Sequence, residues 1–233
     1  GRQDKTALAA RCDKAVKNWP NVPVLMAGMS GSRQGWHEAP YFNCPARPDD
    51  LVASLTRFQH DGRDVAIMPG LKIDTPEQAD VMRGEETQLA GLITLRPGFT
   101  GTAILPGTHC KWVRLEGGKI MTYRTFMTGE IFEALSQHTI LRHSVSSNDY
   151  DFAKELEAFA HSFRETSKGT SNIFGDLFGL RARGLLGNAA SSDLRTQLSG
   201  ALIGAEFAAA RTFGFSLDSD LALIGTGKLV ALY

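Results

Sequence analysis

Three glycine-bearing turns, each directly behind a short apolar run, constrain this chain more than any other feature. Val24-Leu25-Met26-Ala27 enters Gly28-Met29-Ser30-Gly31-Ser32-Arg33-Gln34-Gly35-Trp36. Thr102-Ala103-Ile104-Leu105 enters Pro106-Gly107-Thr108-His109, and Leu221-Ala222-Leu223-Ile224 enters Gly225-Thr226-Gly227. Short apolar runs bounded by turn residues read as buried strands. Open α/β sheets offer ligand sites beyond the carboxyl ends of their strands. Glycine lets a backbone approach a phosphate closely, and free N–H groups in such turns form anion nests. Taken singly, each turn also reads as a plain tight turn, because signals this short match often by chance. No glycine-rich run ends in Gly-Lys-Ser or Gly-Lys-Thr, so there is no P-loop, and the protein-kinase signatures are missing too.

The rest of the chain reads as alternating helices and strands, hence α/β. Residues 6–17 put Leu8, Cys12, Ala15 and Val16 on one helical face, and Pro20 and Pro23 end that element. Residues 51–58 suggest a helix, 65–68 a strand closed by Pro69-Gly70, and 76–95 a mainly helical stretch. Strands are expected at 110–115 and 120–125, with a turn between them. Helices are expected at 128–137, 151–167, 174–186 and 193–213. The last is rich in small residues, notably Gly200-Ala201 and Gly204-Ala205, which suits close packing against a sheet.

Composition narrows the partners. Lys+Arg and Asp+Glu balance at 25 each, which provides no field for steering towards nucleic acid or an anionic membrane. No apolar run approaches the roughly 20 residues of a membrane span. Cys12, Cys44 and Cys110 are too few and too scattered for a disulfide framework or a zinc site. The polar start, Gly1 to Lys5, does not look like a signal peptide. A reducing, cytoplasmic setting is therefore expected.

The order of the parts says more than any one of them. An acidic helix start, Gly84-Glu85-Glu86, precedes the hairpin turn Gly107-Thr108, and the turn Gly225-Thr226-Gly227 follows later. That order resembles the second lobe of the sugar-kinase, hexokinase and actin superfamily. Five local words look like those of 2-dehydro-3-deoxygalactonokinases. They are Met26-Ala27-Gly28-Met29-Ser30-Gly31-Ser32, Met82-Arg83-Gly84-Glu85-Glu86-Thr87-Gln88, Pro106-Gly107-Thr108-His109-Cys110-Lys111-Trp112-Val113, Phe126-Met127-Thr128-Gly129-Glu130 and Gly200-Ala201-Leu202-Ile203-Gly204-Ala205-Glu206.

The resemblance implies a two-lobed, actin-like (ribonuclease H-like) ATPase fold. Residues 1–75 would form the first, substrate-side lobe and 76–233 the second. It implies ATP-dependent phosphorylation of 2-dehydro-3-deoxy-D-galactonate at its terminal hydroxyl, with magnesium. A kinase for another sugar or sugar acid, or a non-catalytic sensor on the same fold, are the competing readings. Such kinases open with an Asp-x-Gly-Thr-like hairpin and close with a further helix and strand. Neither is found here, so the first lobe and the C-terminal end are expected to be incomplete, and activity is expected of the complete protein. The implied partners are ATP and a small sugar acid, with a homodimer as the assembly to test for.

The same resemblance implies the site. One of Glu85 and Glu86 takes the substrate hydroxyl proton, and the other is a helix-start acid. Gly107 and Thr108 meet the phosphates. His109 either donates to them or caps the turn, and Lys111 either reaches the same space or is a surface lysine. Gly225, Thr226 and Gly227 hold adenosine. A 2-keto acid needs its carboxylate held, and Arg33 and Arg83 are the two guanidinium candidates. Ser30 and Ser32 lie where sugar hydroxyls would be met, Gln34 is a further substrate-side residue on the same turn, and Trp36 either stacks on the sugar chain or packs under the turn. Trp112 and Cys110 read as core residues. No metal ligand is assigned within this chain.

Overall fold

The computed structural model describes residues 5–145, 152–169 and 173–233. The chain is mixed α/β and divides into two compact units, Gly1–Ala103 with Val113–Tyr123, and Ile104–Trp112 with Arg124–Tyr233.

The first unit starts with α1, Lys5–Val16, and β1, Val24–Met26. A 3₁₀ turn over Gly28–Gly31 leads to β2, Tyr41–Asn43, and α2, Pro48–Ala53. Then come β3, Thr56–His60, β4, Arg63–Ile67, β5, Gly70–Thr75, β6, Gln78–Met82, and α3, Glu85–Leu95. In one sheet β4 lies between β1, parallel to it, and β3, antiparallel. In the other, β5 lies between β2, parallel, and β6, antiparallel. The apolar stripe of α1 is buried on the first sheet, where Cys12 and Val16 join Val24, Trp36 and Val65.

Two expected helices are partly strand. The helix expected over 51–58 ends at Ala53, and the chain continues as β3. The cause is the turn Asp61-Gly62, with both residues at positive φ, 49° and 71°. A two-residue turn of that hand matches strand twist, and it pairs Thr56 with Ile67 through to His60 with Arg63. The mainly helical stretch expected over 76–95 is β6 followed by α3, and helix begins only at Glu85. Antiparallel pairing of Leu71 with Met82 through to Thr75 with Gln78 outweighs local helix preference there. β4 ends at Ile67, ahead of Pro69-Gly70 as expected, and Gly70 itself opens β5. It lies tight under Tyr41, since a Cβ there would sit 2.6 Å from the ring.

The second unit receives parts of β7, Gly101–Leu105, β8, Cys110–Glu116, and β9, Lys119–Phe126. It continues through α4, Thr128–His138, α5, Phe152–Ser167, α6, Ile173–Leu185, and α7, Ser191–Thr212. It finishes with β10, Leu221–Leu223, and the single turn α8, Gly227–Val230. Asp151, expected to open the helix that became α5, lies outside the described residues. The sheet order is β10-β7-β8-β9. Trp112 and Cys110 are fully buried, as their context predicts, and Trp112 meets Phe207 edge-on at 4.9 Å.

The small residues of α7 pack on a helix, not on a sheet as expected. A Cβ on Gly200 would lie 2.4 Å from the Phe159 carbonyl oxygen of α5. One on Gly204 would lie 2.1 Å from Thr166 Oγ1 and 2.5 Å from the Phe163 carbonyl oxygen. Backbone cannot yield as a side-chain end can. Gly204→Val should therefore destabilise by about 1–3 kcal/mol, an overpacking penalty, visible as a fall of several degrees in melting temperature. An unchanged melt would mean that α5 and α7 do not touch at this point. Among the described residues no helix is long and apolar enough to cross a membrane.

Candidate active site

In the first unit, the Gly28–Gly31 turn folds onto itself. Ser32 N–H donates to the Met29 carbonyl at 3.1 Å, Trp36 N–H to the Ser30 carbonyl at 2.8 Å, and Ser30 Oγ to the Ala27 carbonyl at 3.2 Å. Gly35 admits no side chain, since its Cβ would stand 2.4 Å from two carbonyl oxygens. The segment thus sorts its side chains. Ser30, Ser32 and Trp36 are buried, whereas Arg33 and Gln34 face solvent. Trp36 takes the packing position, edge-on to Phe58 at 5.1 Å and to His60 at 4.6 Å. Among the described residues, Arg33 reaches the exposed Glu38, at 3.7 Å.

Arg83 follows β6. Its Nη2 donates to the Ala39 carbonyl at 2.8 Å, and its guanidinium lies over the Tyr41 ring at 4.2 Å. Nε and Nη1 are buried and have no hydrogen-bond partner among the described residues. An unmet buried donor costs about 1–3 kcal/mol, and more when charged. The cation sits beside the Gly28–Gly31 turn, because a Cβ on Gly31 would fall 2.8 Å from Nη1.

Gly84 holds φ 114°, a conformation that L side chains rarely adopt, and so turns the chain from β6 into α3. A Cβ on it would be 3.4 Å from Gly28 Cα, so the start of α3 abuts the same turn. The two acids there differ. Glu86 is fully buried, accepting from Gly84 N–H at 2.6 Å and from the Thr87 hydroxyl at 3.2 Å. Burial pushes its carboxyl above the usual carboxylate range, with the Gly84 bond opposing. Glu85 is half-buried and accepts from Arg83 N–H at 3.1 Å. The fold therefore gathers Ser30, Ser32, Arg83, Glu85 and Glu86 round one turn and leaves Arg33 and Gln34 outside it.

In the second unit, the turn after β7 exposes Thr108 and His109, and Gly107 has open space where a Cβ would stand. His109 Nε2 lies 2.5 Å from Glu130 Oε2. Lys111 is buried, and its Nζ donates to the His109 carbonyl at 3.0 Å, so it is not a surface lysine. Gly225 lies against this turn, since its Cβ would be 3.6 Å from the Pro106 carbonyl oxygen. Thr226 occupies the position before α8 without a side-chain capping bond, and Gly227 is the first residue of that turn. A cavity of about 280 Å³ opens beside Gly107, with Thr128, Gly129, Arg195, Leu202, Leu229 and Tyr233 in its wall. Among the described residues no group of three or more His, Cys, Asp or Glu stands where it could hold a metal ion.

Sequence reasoning gave Glu206 no role. It is buried in α7, and its carboxylate accepts from Trp112 Nε1 at 2.7 Å, from the Tyr233 hydroxyl at 2.9 Å and from the Thr128 hydroxyl. The signal was a lone acid among the apolar and small residues 200–207. Burial first, and then the nearby Glu206 charge, push the Cys110 thiol up, against thiolate formation.

A model of the 2-keto-3-deoxy-galactonokinase family matches residues 1–233. The chain is 40% identical to "Probable 2-dehydro-3-deoxygalactonokinase" of Rhizobium meliloti (strain 1021), covering 94% of this chain and 71% of that protein. It is 38% identical to the 2-dehydro-3-deoxygalactonokinase of Escherichia coli (strain K12), covering 97% and 74%. A crystal structure of a "putative 2-dehydro-3-deoxygalactonokinase protein" from Sinorhizobium meliloti superposes with a TM-score of 0.90 at 38% identity, covering 98% of this chain and 78% of that one.

Proposed function

The chain belongs to the 2-keto-3-deoxy-galactonokinase family, and on that premise we propose how its residues divide the work of the reaction. The activity is ATP-dependent phosphorylation of 2-dehydro-3-deoxygalactonate. The oxygen of the terminal hydroxyl attacks the γ-phosphorus, the bond to the β-bridging oxygen breaks, and ADP and the 6-phosphate leave. Such a transfer asks little covalent help of the protein. It needs an oriented nucleophile, a proton acceptor and donors round the phosphates.

Glu85 accepts the hydroxyl proton. The observation that carries this assignment is the split between the two acids of α3. Glu86 is buried with its oxygens committed to Gly84 N–H and the Thr87 hydroxyl, whereas Glu85 keeps a solvent-reachable side. Arg83 holds the substrate carboxylate, a role supported by its two unspent guanidinium nitrogens, since a carboxylate meets a guanidinium through two parallel bonds. Ser30 and Ser32 face the hydroxyls, Arg33 and Gln34 stay at the rim, and Trp36 stiffens the turn from below. Gly107 and Thr108 meet the β- and γ-phosphates, with His109 and Lys111 shaping that turn. Gly225, Thr226 and Gly227 carry the adenosine side, next to the cavity of about 280 Å³. Among the described residues no group of three or more His, Cys, Asp or Glu is placed to hold magnesium. A two-lobed actin-like fold is part of the same proposal, supported by the order of acidic helix, hairpin turn and late glycine turn.

A coupled ADP-release assay on the complete enzyme tests the whole. Turnover is expected with 2-dehydro-3-deoxygalactonate and not with hexoses. Binding of ATP and acid without turnover would overturn the kinase reading in favour of a sensor.

A further inference from the structure

We propose that Glu206 is a positioning residue for the phosphate turn Gly107-Thr108 and acts through Thr128, an inference that rests on the reading of that turn given above. Glu206 is 3% exposed and lies beside the apolar cluster of Ile104, Cys110, Trp112, Ile203 and Phe207. A carboxylate in such surroundings is costly, and an apolar side chain of similar volume would fill the place without that cost. What the carboxylate does there is collect donors from three separate places: Trp112 on β8, Tyr233 near the end of the chain, and Thr128 at the first residue of α4.

Thr128 is the donor that leads to the site. The next residue, Gly129, is in backbone contact with the phosphate turn. A Cβ on it would stand 2.7 Å from the Gly107 carbonyl oxygen and 2.8 Å from Thr108 Cα. The residue after that, Glu130, donates its N–H to the Thr108 carbonyl at 3.1 Å and holds His109 through its carboxylate. The turn therefore rests on the first turn of α4, and that first turn rests on Glu206. Backbone-to-backbone contact leaves no slack, so a small shift at Thr128 is passed to Gly107 and Thr108. Transfer chemistry that depends on positioning will register such a shift.

The test separates this role from plain stabilisation. Glutamine keeps the size of Glu206 but replaces one acceptor oxygen by a donor, so it cannot accept from Trp112 at one position and from Thr128 and Tyr233 at the other, as the carboxylate does. Glu206→Gln in the complete enzyme is expected to raise KM for ATP on the order of tenfold, as for one lost bond to a charged acceptor. KM for the acid should stay put. Thr128→Val should act in the same direction, and Thr128→Ser, which keeps the hydroxyl, should restore ordinary ATP dependence. A lower melting temperature and active fraction with both KM values unchanged, or an equal rise in both, would overturn the proposal. If Glu206→Gln does not fold, the Thr128 pair decides alone. Thr108→Val is measured alongside. If it leaves KM for ATP alone, the phosphate-turn reading itself is wrong. If it raises KM while the Glu206 and Thr128 variants do not, only the present inference fails.

Discussion

Glu85→Gln is expected to lower kcat by about 10² to 10⁴, the range for loss of a general base, with KM for ATP and for the acid nearly unchanged. The amide keeps the shape of the side chain and removes its basicity. It also keeps an oxygen able to accept from Arg83 N–H, so the start of α3 should hold its geometry. Glu86→Gln should do the opposite. The buried Glu86 closes the helix start through Gly84 N–H and the Thr87 hydroxyl. Its loss should cost about 1–3 kcal/mol of stability as an unmet buried group, with little effect on kcat per folded molecule. Steady-state kinetics on samples matched for active fraction, with melting curves, separate the two. A normal kcat for Glu85→Gln and a collapsed one for Glu86→Gln would exchange the roles. Normal turnover in both would remove α3 from the chemistry.

Arg83→Met should raise KM for 2-dehydro-3-deoxygalactonate by roughly one to three decades, as for a lost charged hydrogen-bond pair, and leave KM for ATP unchanged. The physical basis is the state of the guanidinium. One nitrogen is used by the Ala39 carbonyl and the plane is used by Tyr41, while Nε and Nη1 are buried without partners among the described residues. Arg83→Lys should rescue little, because an ammonium lacks the fork that matches a carboxylate. Arg33→Met should be near neutral, since Arg33 is exposed and its ion pair with the exposed Glu38, at 3.7 Å, is a surface one. A normal KM for the acid in Arg83→Met and a raised one in Arg33→Met would move the carboxylate to the exposed arginine.

What the sequence determined alone lies in its local words. The strands leading into Gly28, Pro106 and Gly225, and the helices α1, α4, α6 and α7, were legible because periodicity and glycine placement act over a few neighbouring residues. The family was legible for the same reason, since its words are short and complete. Tertiary structure decided the rest. Residues 56–60 and 78–82 became strands because partners across a turn outweighed local preference. Glu85 and Glu86 are alike as letters and differ only in burial. Arg33 and Arg83 are likewise equal as letters, and a buried guanidinium beside Gly31 exists only once that turn has folded against β6. Glu206 lies 94 positions from Trp112 and 78 from Thr128, the groups it binds. No pattern along the chain records such pairings, because burial and hydrogen bonding are fixed by distance in space and a sequence records only distance along the backbone.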